Sequence, residues 1–172
     1  QTLTNPTNID QTASYTVTAT SGSCPSSTFS VDITIHPKPT VAASVLSQSA
    51  CSGAAITPIL LSNTNGIAGT IDFSWTRDNT TNTTGIPSSG NTATISGNLT
   101  NMTTSPETTI FTFVATSDNN CISNAATASV IVNPLPTVSA TPASQTICSE
   151  NTIAPITITN PNSILGTTFS WT

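Results

Sequence analysis

Between Phe29 and Ile35 every second residue is apolar: Phe29, Val31, Ile33 and Ile35 alternate with Ser30, Asp32 and Thr34. A period of two puts one set of side chains on a single face, so the stretch reads as a strand half-turned toward a core. The same period returns along the chain. It is kept by Tyr15, Val17 and Ala19, by Ile59 and Leu61 within 57–62, and by Ile71, Phe73 and Trp75. It is kept again by Ala93, Ile95, Gly97 and Leu99, by Phe111, Phe113 and Ala115, and by Ala126, Ala128, Val130 and Val132. Val41 and Ala43 predict a further strand, and Ser47 to Cys51 a short piece before a Ser-Gly turn. Arg77 to Asn91 reads as a polar loop, punctuated by Thr-Gly and Pro-Ser-Ser-Gly. Long helical patterns are absent, and Pro and Gly recur every few residues. About seven strands in under ~100 residues is the count of a sandwich. The chain is expected to be all-β.

The pattern also repeats as text. Leu135 to Ser149 matches Lys38 to Ser52 at an offset of 97, and Phe169-Ser170-Trp171-Thr172 matches Phe73-Ser74-Trp75-Thr76 at 96. Near the start, Leu3-Thr4-Asn5 matches Leu99-Thr100-Asn101 at 96, and Cys24 matches Cys121 at 97. A fixed period of this length is the mark of a tandem array. The expected organisation is the second half of a repeat at 1–37, one complete repeat at 38–134, and the first half of the next at 135–172. The boundaries are His36-Pro37-Lys38-Pro39-Thr40 and Asn133-Pro134-Leu135-Pro136-Thr137. Alternate prolines favour an extended backbone, so the joints should be short and semi-rigid. Half a sandwich leaves apolar faces and strand edges uncovered, so either flanking sequence or another chain must complete the two ends. A longer repeat protein is the expectation.

Composition narrows the function. Charged residues make up 5% of the chain, against roughly 25% in an average soluble protein. Lys38 and Arg77 are the only basic side chains, and the net charge is −5. Nucleic-acid binding needs clustered cations to displace counterions, so it is excluded. No apolar run reaches the ~18 residues that span a bilayer, which argues against membrane insertion. Polarity comes instead from Thr, Ser and Asn, and β-branched Thr suits a half-solvated sheet. Four Cys at matching positions, with almost no Lys, point to an oxidising extracellular compartment.

Pro136-Thr137-Val138-Ser139-Ala140-Thr141-Pro142, the Ile147-Cys148-Ser149 turn, the Phe169–Thr172 strand and the closing Asn133-Pro134-Leu135-Pro136 linker carry a resemblance. They are similar to the Ig-like and PKD-like tandem repeats of giant secreted Bacteroidota cell-surface adhesins, including the gliding-motility adhesin class. The resemblance covers the whole chain. It implies tandem immunoglobulin-like β-sandwich repeats of about 97 residues, export by type IX secretion, and display as a long extracellular filament on the cell surface. The implied role is a structural spacer or stalk without catalysis. The partners it implies are neighbouring repeats. A carbohydrate-binding module array, with surface glycans as partner, and a filament subunit polymerised by strand exchange are the alternatives.

Candidate chemistry is sparse. Cys24, Cys51, Cys121 and Cys148 lack C-x-x-C spacing and the chain has a single His, so no metal site is expected. Three disulfide schemes stay open: Cys51–Cys121 within the repeat, Cys24–Cys51 with Cys121–Cys148 across the joints, or bonds to further repeats. Trp75 and Trp171 fall on the inward face of an alternating strand, so each reads as a core residue rather than a sugar platform. Asp72, Asp78 and Asp118 do not form a D-x-D-x-D-G calcium loop. His36 has Asn133 as its counterpart in the other copy, and no nucleophile has a base with an orienting partner, so neither catalysis nor a cofactor is expected.

Overall fold

The computed structural model describes all 172 residues and contains strands but no helix. The N-terminal segment is a hairpin of β1 (Gln11–Val17) and β4 (Phe29–Ile35), tipped by β2 (Thr20–Ser21) and β3 (Cys24–Pro25). Its register, Gln11 opposite Ile35 to Val17 opposite Phe29, collects Ala13, Tyr15, Val17, Phe29, Val31, Ile33 and Ile35 on one face.

The central part is an immunoglobulin-like sandwich of ten short strands. They are β5 (Val41–Ala43), β6 (Ser47–Cys51), β7 (Ile59–Asn63), β8 (Ile71–Arg77), β9 (Thr83–Gly85), β10 (Ser89–Gly90), β11 (Thr94–Ile95), β12 (Leu99–Asn101), β13 (Glu107–Ser117) and β14 (Ala126–Asn133). One sheet has the order β10-β8-β13-β14-β6; facing it are β11-β7-β5 and the pair β12-β9. The initial strand switches sheets: β5 pairs antiparallel with β7, whereas β6 runs parallel to β14. The switch is held by Ser44, whose amide donates to Leu60 O and whose hydroxyl accepts from the Leu60 amide. The inward residues of both sheets meet in one core of Ile56, Ile59, Leu61, Trp75, Ile86, Ile95, Leu99, Phe111, Phe113, Ala128, Val130 and Val132. Trp75 meets Phe111 edge-on at 5.9 Å and 64°.

The expected alternation of β7, β8, β13 and β14 is observed. The stretch 77–91 differs. Arg77 closes β8 rather than opening a loop, and β9 and β10 lie inside the expected loop. The alternation Ile71, Phe73, Trp75 simply continues one step, so Arg77 also turns inward and is only 9% exposed. At Gly85 φ is +112° and an added Cβ would strike the Asn98 carbonyl, so only glycine fits where β9 meets β12.

The C-terminal segment is a small sheet of β15 (Ser139–Thr141) and β16 (Thr157–Thr159), paired Ser139 with Thr159. That is the β5–β7 pairing, Ala42 with Ser62, moved 97 positions along. Side-chain braces recur as well. Gln48 spans the Thr57 backbone, donating to its carbonyl at 2.9 Å and accepting from its amide at 2.7 Å; Gln145 does the same to Ala154, at 2.8 Å for each bond. Asn101 donates to Ser105 O and Val132 O, and Asn5 donates to Ile9 O and Ile35 O.

Candidate functional site

The two proline segments expected as joints flank the central sandwich at 36–40 and 133–137. At the first joint Pro37 and Pro39 are both buried while Lys38 stays exposed. Proline has no N–H to satisfy, which lets the backbone lie against the sandwich without orphaned donors. The carbonyl of Lys38 and the amide of Thr40 are clamped by one side chain, with Asn65 Nδ2 donating at 2.8 Å and Oδ1 accepting at 3.2 Å. Lys38 Nζ donates to Asn124 Oδ1 at 2.8 Å, tying the joint to the turn between β13 and β14. On the other side His36 Nδ1 lies 2.9 Å from Asp10 Oδ1, an exposed contact of small energetic weight. Asn8, Ile9 and Asp10 border a cleft whose far wall is Ser117, Asp118 and Asn119. Asn162 repeats the clamp at the second joint, donating to Leu135 O at 2.8 Å and accepting from the Thr137 amide at 2.9 Å.

The four cysteines are free thiols. Cys51 ends β6 opposite Asn133, at the C-terminal pole of the sandwich. Cys121 sits in the turn before β14, at the other pole beside the first joint. Seven strand steps separate Ala126 from Asn133, or roughly 23 Å at ~3.3 Å per residue. A disulfide tolerates a Cα separation of only about 7 Å. The Cys51–Cys121 scheme therefore fails on distance. Cys24–Cys51 and Cys121–Cys148 fail for the same reason, because Cys51 and Cys121 each lie at the pole away from the joint they would bridge.

Trp75 is 6% exposed and belongs to the core, whereas Trp171 is 79% exposed and lies outside any strand. The difference is one of partners: β8 lies between β10 and β13, and nothing equivalent flanks residues 169–172. Phe29 and Phe169 are exposed for the same reason. A groove of about 570 Å³ runs over Ser74, Thr76, Thr112 and Val114, and the two aromatic residues that border it, Trp75 and Phe113, are both buried in the core, so neither offers an exposed platform.

Sequence reasoning missed a buried polar cluster. The Arg77 guanidinium has no carboxylate partner. It donates to Ile86 O at 2.7 Å, Pro87 O at 3.2 Å, Asp78 O at 3.2 Å, and Thr83 O and Oγ1 at 3.4 and 3.1 Å. Burial pushes its pKa below the usual guanidinium value, and neighbouring Asp78 works in the opposite direction. Thr83 Oγ1 gives its proton to Asn79 O at 2.7 Å, so the Thr109 hydroxyl 2.8 Å away is the donor between the two threonines. Asn79 Nδ2 donates to Glu107, and this bond leads a set with Asn82 and Thr103 that holds the Glu107 carboxyl below the ordinary range. The cluster ties β8, β9 and β13 together. It is structural chemistry, with no acid, base and nucleophile converging. No helix is long and apolar enough to cross a membrane.

Compared with known proteins, residues 48–136, more than half of the chain, match the family model of the PKD-like domain. No curated protein matches the chain. Among solved structures the chain aligns with a nucleoside hydrolase-related hypothetical protein from Saccharophagus degradans that is associated with carbohydrate metabolism. The identity is 11% and the TM-score 0.41, over 57% of this chain and 26% of that one. The chain thus spans about a quarter of that protein, and a likeness this low carries no argument.

Proposed function

The chain belongs to the PKD-like domain family, and from that premise we propose that it is a stretch of tandem repeats serving as a non-catalytic spacer in a large secreted adhesin or extracellular filament. The observation that carries this reading is the joint. The same x-Pro-x-Pro-Thr segment occurs at both ends of the sandwich, gripped in both places by one asparagine at the same two backbone atoms. A clamped joint passes orientation from one sandwich to the next, which is what a stalk requires. PKD-like membership fits an extracellular, non-catalytic domain. Display on the cell surface, type IX export and a place in the gliding-motility adhesin class belong to this proposal, supported by the sequence resemblance. Low charge and dense hydroxyls keep such a thread hydrated without long-range fields.

Single-molecule stretching of the native material tests the reading. A stalk of repeats gives evenly spaced unfolding events, each releasing close to one repeat of chain, about 300 Å from ~97 residues at ~3.3 Å each. Irregular events with no common spacing would refute it. Specific retention of the central sandwich on a glycan array would shift the function to carbohydrate binding.

A further inference from the structure

We propose that Asn65-Gly66 is a site of spontaneous deamidation that the folded joint holds in check, and that its reaction releases the first joint irreversibly. The proposal concerns this one joint, so the spacer reading stands or falls separately.

Asn65-Gly66 is the only Asn-Gly pair in the chain, and it falls on the residue that clamps the joint. In deamidation the backbone nitrogen of the following residue attacks the asparagine Cγ. The proton of that N–H and the Nδ2 amine leave together as ammonia, and a five-membered succinimide remains. Water then opens either C–N bond of the ring, giving an aspartyl or an isoaspartyl residue. Water is the only co-reactant, and no oxidation state changes.

The attacking group is free to react. Gly66 is exposed, its N–H has no hydrogen-bond partner in the chain, and the space where a Cβ would project is open. Without a Cβ the nitrogen approaches Cγ unhindered, whereas a side chain at that position stands in the way. The turn itself does not require glycine. Ser163, the counterpart at the second joint, holds φ +54° where Gly66 holds +64°, so a serine fills the same turn. What glycine adds at the first joint is reactivity.

The clamp opposes it. Asn65 Nδ2 donates to the Lys38 carbonyl at 2.8 Å, and Oδ1 accepts from the Thr40 amide at 3.2 Å. Ring closure turns the side chain back onto its own backbone, so both bonds must open first. Two hydrogen bonds that have to open together slow the reaction by roughly tenfold or more. Opening of the joint, under tension or by thermal fluctuation, removes that protection. The product cannot rebuild the clamp. An ionised carboxylate has no proton to give to Lys38 O, and two acceptors facing each other repel. In the isoaspartyl form the main chain runs through the former side chain, and the remaining carboxylate is too short to reach both backbone groups. Asn162 makes the same clamp on Leu135 O and the Thr137 amide, but Ser163 follows it, so the second joint outlasts the first.

The test uses the full chain, incubated at mildly alkaline pH both native and in denaturing urea. Peptides carrying Asn65 and Asn162 are followed by mass spectrometry with isoaspartyl detection. Asn65 is expected to convert ahead of Asn162 in urea, and to convert more slowly in the native chain by roughly tenfold or more. Gly66→Ser, which copies Ser163, should suppress the conversion in urea roughly tenfold and leave the scattering of the fresh protein unchanged. Asn65→Asp, the product made directly, should broaden the range of interdomain orientations in solution scattering while the central melting transition stays in place. Equal rates in the native and unfolded chain, or an Asn65 that stays intact in urea, overturn the proposal. So does an Asn65→Asp chain that scatters as the original does.

Discussion

Gly90→Ala puts two opposite effects against each other at one strand. Gly90 lies in β10 opposite Trp75 and is not among the glycines of positive φ, so the backbone accepts alanine without strain. By itself the change would stabilise, because a glycine replaced in a compatible conformation removes freedom from the unfolded chain, worth about 0.4–1 kcal/mol. The surroundings reverse the sign. An added Cβ would lie within 2.6 Å of Trp75 Cε2 and 3.0 Å of Nε1, closer than carbon contacts permit. The indole has little room to retreat, because it is buried and already in edge-on contact with the Phe111 ring. Overpacking of this kind costs typically about 1–3 kcal/mol. The larger effect wins, for a net loss of about 1–2 kcal/mol. At about 4–8 °C per kcal/mol for a domain of this size, the sandwich should melt about 5–15 °C lower. The assay is thermal unfolding followed by tryptophan emission, where buried Trp75 reports the transition against a constant signal from exposed Trp171. In the Trp75→Phe background the smaller ring makes room, and Gly90→Ala should become neutral or stabilising. A raised melting temperature for the single variant, or an equal loss in both backgrounds, would refute the packing argument.

Trp75→Ala should destabilise the central sandwich by about 3–5 kcal/mol, the range for deleting a buried Trp. In a longer array, neighbouring repeats should keep their own melting transitions, and a collapse of every transition would contradict their independence. Arg77→Ala leaves the carbonyls of Ile86 and Thr83 without their donor and should cost about 2–4 kcal/mol in chemical denaturation, while Lys38→Ala should cost under ~1 kcal/mol; equal effects would show that the buried cluster is idle. Glu107 adds a pH dependence. Its folded pKa is depressed below the ordinary 4.5, so its contribution is complete above that value and is lost as pH falls through the lower folded pKa. Amide exchange in the 79–83 loop should accelerate over that acidic window in the native chain and not in Glu107→Gln, and identical pH profiles would exclude the linkage. Asn65→Ala should loosen the first joint without lowering the melting temperature by more than ~1 kcal/mol equivalent, read as a broader range of interdomain orientations in solution scattering.

Much of the fold was open to reading because alternation is a local signal. Phe111, Phe113, Val130 and Val132 declare an inward face by spacing alone, and the 97-residue echo of Lys38–Ser52 in Leu135–Ser149 declares a repeat whatever the fold. The brace residues Gln48 and Gln145, Asn65 and Asn162, and Asn5 and Asn101 carried a signal of the same kind, being identical at equivalent positions. Their task stayed hidden because each amide grips at least one backbone group nine or more residues away, a contact that leaves no periodicity. Arg77 was hidden for another reason. A lone charge after Trp75 looks like the start of a loop, and only the packing of β9 shows that its side chain is met by carbonyls rather than by water.

The sequence by itself determined the all-β class and the inward faces of the central strands, since alternation depends on near neighbours. Tertiary structure decided what depends on distance between residues far apart in the chain. It put Cys51 and Cys121 at opposite poles, divided the initial strand between two sheets, and exposed Trp171 while burying its twin Trp75. A side chain is buried by its neighbours, and Trp75 owes its burial to β10 and β13 on either side of its strand, which come from 12 or more residues further along the chain.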